Sequence, residues 1–192
     1  MLWLTKLGIK LFVISSAIQP RTSEVPTVET ADSYTIISKI IDESIIQDST
    51  ELILIENETF YGFLHQESEG SKPAFAEISN EIWVDFLQKN QEHRKLDGLF
   101  VLSKPYFLID SNNREEINRA LLFTKNIEQT PFLQFSEIGF NSKRDEALVH
   151  VSMFYLGNSL FDVATFGYGK YTYLKNIGGV WKILNEWKSF IT

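Results

Sequence analysis

The chain has 192 residues, 44% of them hydrophobic and 22% charged, with a formal net charge of −7. That length suffices for one domain with a proper core, and the acidic balance argues against a protein that grips nucleic-acid phosphates, which needs a basic face. The absence of cysteine excludes disulfides, thiolate metal sites and cysteine nucleophiles.

The first stretch, "MLWLTKLGIKLFVISSAIQPRTSEVPTVE", passes from basic to apolar to small residues, then to polar ones with prolines. Lys6 and Lys10 precede the apolar run Leu11 to Ile14, and Ser15-x-Ala17 offers a cleavage site. This is the layout of a secretory signal peptide over 1–17, with an apolar part too short to span a membrane. Export to the periplasm or the cell exterior is therefore expected. The alternative is a cytoplasmic protein that keeps an N-terminal amphipathic helix. An exported chain without disulfides suits a bacterium. Residues 18–32 are rich in Pro, Thr, Ser and Glu and read as a flexible leader. That leaves 33–192 as a single domain.

In the domain, Ile36, Ile37, Ile40, Ile41 and Ile45 recur at helical spacing, with Asp32 or Ser33 as cap. "ELILIENETF" comes next, with Glu51 to Ile55 as a short strand, and then a polar loop over 66–73. "ISNEIWVDFLQKN" predicts a second helix with Ile78, Ile82, Trp83, Phe86 and Leu87 on one face and Ser79 or Asn80 as cap. "GLFVLSKPYFLID" reads as a strand broken near Pro105. "SNNREEINRALLFTKN" reads as a third helix, opened by a capping-box pattern from Asn112 to Glu115.

From Pro131 the pattern becomes strand-like: "FLQFSEIGF", "EALVHVSMFYL", "YGKYTYLKN" and "VWKILNEW", with turns at "NSKRD" and "NIGG". Helices come early and strands cluster late. That order predicts an α+β domain: about three helices packed on a C-terminal antiparallel β-sheet ending in a hairpin.

The segments "FSEIGFNSKRDEALVHVS" (135–152) and "GYGKYTYLKNIGGVWKI" (167–183) resemble a group of mostly secreted bacterial proteins. Those proteins share an S-x-x-G-F-N turn, an A-L-V-x-V-S strand and a hairpin ending in G-x-W-K. "SYTIIS…ELILIENET" and "WVDFLQKN" are similar to their N-terminal half, so the resemblance covers most of 33–187. It implies the fold and export, and no activity, since none is assigned to the group. Many of its members carry a cysteine- and glycine-rich segment where this chain has "MFYLGNSLFDVATFG", which has no cysteine.

Candidate chemistry is sparse. None of His65, His93 and His150 stands in a metal-ligand spacing. His150 and Ser152 sit two apart on one strand and therefore on one face, so a nucleophile–base pair is geometrically allowed there; His65 with nearby Glu is a second weak catalytic candidate. Glu56 and Glu58 are two apart at a strand end and form a weak candidate for a cation, with no third ligand apparent. Phe161, Tyr168, Tyr171 and Tyr173 are the candidate binding residues, on the premise that one face of the aromatic hairpin looks outward. No cofactor, nucleic-acid partner or transmembrane segment is expected. These observations favour a non-enzymatic exported protein that binds a partner or ligand, over a small hydrolase or an immunity-type protein with an acidic surface.

Overall fold

The computed structural model describes residues 28–59, 78–155 and 166–191. His65, Phe161, the 66–73 loop and the expected signal peptide lie outside them. Among the described residues three α-helices, Val28–Ile40 (α1), Asn80–Lys89 (α2) and Arg114–Leu121 (α3), accompany a seven-stranded sheet. Its strands are Ile53–Glu56 (β1), Tyr106–Ile109 (β2), Pro131–Phe135 (β3), Gly139–Phe140 (β4), Glu146–Tyr155 (β5), Phe166–Ile177 (β6) and Val180–Ile191 (β7). The order is β2-β1-β3-β5-β6-β7, with β4 pairing separately with β5. The α+β class expected from the sequence is the one observed. The pairing is finer than expected, because β1 runs parallel to both β2 and β3 while all later pairs are antiparallel.

α1 starts at Val28, upstream of the expected cap at Asp32 or Ser33. It continues as a π-helical turn, Ile41–Ile45, in which the Ile46 N–H donates to the Ile41 carbonyl at 2.9 Å. The five isoleucines are all buried, against Ile53, Ile55, Leu133, Phe135, Val149 and Val151 on one face of the sheet. α1 also holds the segment that leads from α2 to β2. The Tyr34 hydroxyl accepts from the Asp97 N–H at 2.5 Å, Ser38 Oγ from the Val101 N–H at 3.0 Å, and Asp42 Oδ1 from the Ser103 N–H at 3.1 Å. Residues 34, 38 and 42 are four apart, so a single stripe of the helix binds the 97–103 backbone. This is why the expected strand over "GLFVLSKPYFLID" shrinks to Tyr106–Ile109: its first half already has hydrogen-bond partners on a helix.

The opposite face of the sheet carries the other two helices. Ser79 caps α2, accepting from the Ile82 N–H at 3.3 Å. Ile78, Ile82, Trp83 and Phe86 pack on Leu148, Tyr171 and Tyr173. α3 is capped one residue later than the sequence suggested: Asn113 accepts from the Glu116 N–H at 3.3 Å, and Glu116 Oε2 accepts from the Asp110 N–H at 3.1 Å. Its Ala120 and Leu121 cover Leu52, Leu54, Ile109 and Phe132. The β6–β7 hairpin turns at Gly178 and Gly179, with φ of 64° and 86°. Two consecutive positive φ values define the primed turn that "NIGG" announces.

Candidate functional site

The sheet face under α2 and α3 holds two separate apolar clusters, and the residues between them are polar. Along β5 the face reads Leu148, His150, Ser152, Phe154. Leu148 belongs to the α2 cluster and Phe154 packs on the α3 cluster. Register extends this interval across the sheet. Ser152 pairs with Gln134 on β3 and with Gly169 on β6, and His150 pairs with Tyr171. On β1, Leu54 pairs with Phe132 and Ile55 with Leu133. One further step in that register sets Glu56 beside Gln134, on the face of Leu54. Glu56, Gln134, Ser152 and Gly169 thus form a band across four strands, with His150 next to it.

Two atoms in this band have no hydrogen-bond partner: Glu56 Oε2 and Ser152 Oγ. Glu56 is 9% exposed and its other oxygen accepts the Ser111 N–H, at 3.2 Å. Ser152 is 0% exposed. Elsewhere, the buried Glu137 and the partly exposed Arg144 side chains are ion-paired, with Arg94 at 2.8 Å and Asp32 at 3.8 Å. A buried hydroxyl without a partner costs about 1–3 kcal/mol. Ser152→Ala is therefore expected to stabilise the fold by about 1 kcal/mol, read as a higher urea midpoint at unchanged slope. A lower midpoint would show that Ser152 Oγ makes a bond in solution.

His150 is 4% exposed, and its ring packs edge-on against Tyr171 with centroids 4.7 Å apart. Burial pushes its imidazole down to about 4, so it is neutral near pH 7. Its Nε2 lies 2.8 Å from Ser189 Oγ. The expected partner, Ser152, is on the same face, but the hydrogen bond goes to β7. A register shift between Gly169 and Lys170 places Ser189 and Phe190 together opposite Gly169, and this bulge brings Ser189 to the imidazole. Ser189 was not among the sequence candidates. Its neighbours, Lys188 and Phe190, carry no signal for a site, and the bulge that re-aims it depends on β6.

The aromatic candidates do not form one outward face. Tyr171 is 2% and Tyr173 7% exposed, both beneath α2, while Tyr168 points to the α1 side and is half-buried. β6 is covered on both faces because Lys170, Thr172 and Leu174 are buried opposite the tyrosines. The premise of a solvent-facing tyrosine platform is thereby corrected at Tyr171 and Tyr173. Glu56 and Glu58 also separate: β1 ends at Glu56, and Glu58 forms an isolated bridge with Lys95. Among the described residues no three His, Asp or Glu gather to hold a metal.

The charged turn "NSKRD" is structural. Asn141 Oδ1 accepts the Asp145 and Glu146 N–H groups at 3.0 and 3.2 Å, and Arg144, at φ 53°, lies over the Phe140 ring at 4.1 Å. The charges beside it are compensated locally, with Lys89 on Asp85 at 3.0 Å and Glu81 accepting the Ser142 N–H at 2.7 Å.

The chain matches no family model, no curated protein and no solved structure. No helix among the described residues is long and apolar enough to cross a membrane.

Proposed function

We propose that this protein is a non-catalytic, exported ligand-binding domain whose ligand occupies the polar band between α2 and α3. The carrying observation is the placement of Glu56 Oε2 and Ser152 Oγ, two buried atoms without partners, on one row of one sheet face. Folded chains satisfy nearly all buried polar groups. Two orphans on one row are the pattern of a site that completes its hydrogen bonds with something bound. Export rests on the basic-apolar-small order of the first residues.

Native mass spectrometry of the full chain, purified gently from expressing cells, tests this. A non-covalent adduct is expected on the wild type and is lost from the Glu56→Gln/Ser152→Ala double variant. An adduct that survives the double variant, or no adduct at all, sinks the reading.

A hydrolase reading draws on the 2.8 Å His150–Ser189 contact. It is weaker on basicity. An imidazole held at about 4 by burial is a poor proton acceptor for a serine hydroxyl, and catalytic bases work best with a pKa near the operating pH. Labelling of Ser189 by a fluorophosphonate would reverse this preference.

A further inference from the structure

We propose that the band is a receptor for a small organic cation, an ammonium or guanidinium on a short flexible chain, seated against Glu56 with its far end at Ser152. This rests on the ligand-binding reading above and names the chemistry of the ligand.

Glu56 sets the charge of the ligand. A carboxylate is acceptor-only, so the complement missing from Oε2 is a donor, and an anionic or purely accepting ligand is excluded there. Buried carboxylates are normally paired with a cation, yet Glu56 has one backbone N–H at 3.2 Å as its partner. Among the described residues no side-chain cation balances its charge. A metal ion fits poorly. Calcium takes six to eight oxygens and magnesium needs near-octahedral geometry, whereas the band offers one carboxylate, one amide and hydroxyls. An ammonium or guanidinium asks for less, namely one charge-assisted hydrogen bond and apolar or aromatic walls.

The rest of the band suits a cation. His150 is uncharged at neutral pH because burial holds it at about 4, so it does not repel one. Gln134, Ser152 and Ser189 are neutral. The buried Lys170 belongs to the other face, where it pairs with Glu186 at 2.7 Å. Tyr171 and Phe154 flank the interval as ring walls, and Gly169 puts no side chain into it. Glu56 and Ser152 stand two strand spacings apart, about 10 Å between backbones. A ligand that satisfies both therefore carries a second hydrogen-bonding group several bonds from its charge.

The test is calorimetric titration of the full chain with agmatine, with 1,5-diaminopentane and with the uncharged 1,5-pentanediol. One or both cations are expected to bind, with the diol weaker by about tenfold or more, since a hydrogen bond to a charged group exceeds a neutral one by that order. Glu56→Gln is expected to weaken cation binding by about tenfold, and Ser152→Ala by about threefold. Glu58→Gln, outside the band, is expected to leave it unchanged. Ser152→Ala, predicted to be the more stable chain, keeps the proposal decidable if Glu56→Gln folds poorly. Equal binding of the diol, no binding of either cation, or equal loss in Glu58→Gln and Glu56→Gln would overturn it; the last result would mean diffuse attraction to an acidic chain. A band-dependent native-spectrometry adduct with the mass of a neutral or anionic compound overturns the cation while leaving the ligand-binding reading intact.

Discussion

His150→Gln is expected to remove about 3 kcal/mol of acid sensitivity from the fold. In the folded chain burial holds the His150 imidazole at about 4, whereas in the unfolded chain it titrates near 6.5. The folded value lies below the unfolded one, so between them the unfolded chain binds the extra proton. Stability linked to this group is fully present above about 6.5 and is lost as pH falls towards about 4. The wild type should therefore weaken more than the variant across that window. Carboxylates titrate in both proteins and cancel in the difference. Urea unfolding of both chains near pH 7 and near pH 4 measures it. Parallel losses in the two proteins would show that His150 is solvated in solution and would also remove the neutral neighbour that the cation site needs. Glutamine retains a polar tip for Ser189, so lost packing is kept small.

Gly139→Ala is expected to destabilise the fold by about 3 kcal/mol, at the upper end for overpacking. A Cβ there would lie 2.5 Å from Phe86 Cβ and 2.7 Å from the Phe86 Cα and N. Two of those atoms are backbone, so no rotamer change relieves the clash and α2 must lift away from β4. Lifting it strains the Phe140 N–H bond to Asp85 at 2.7 Å and the Ser142 N–H bond to Glu81 at 2.7 Å. It also strains Asn90, whose side chain bridges the Glu137 N–H and carbonyl at 2.8 and 3.1 Å. Trp83, stacked on Phe86 at 5.5 Å and edge-on to Tyr171 at 6.1 Å, should report the change as a red-shifted emission. Unchanged stability and emission would mean that α2 slides over the sheet without loss. The position bears on the proposed ligand site because α2 packs on the sheet beside the polar band.

α2 was legible because its signals lie within one short stretch. Ile82, Trp83 and Phe86 repeat at helical spacing, and Ser79 supplies the cap from three residues away. The "NIGG" turn was legible for the same reason, since Gly178 and Gly179 satisfy a local backbone requirement. The strand expected before Pro105 does not form, because distant partners intervene. Tyr34, Ser38 and Asp42 take up the backbone of 97–103, and no local pattern announces that.

The candidate site divides along the same line. The sequence by itself determined that His150 and Ser152 share a strand face, that Glu56 ends a strand, and that an acidic, cysteine-free α+β chain is at hand, because alternation and composition are properties of neighbouring residues. Only the tertiary structure decided that Glu56 and Ser152 fall on one row, that His150 turns to Ser189, and that Tyr171 and Tyr173 are covered. Each of those depends on register between strands far apart in the chain and on which helix lies over them. A one-residue slip in any ladder would send the same side chain to the opposite face.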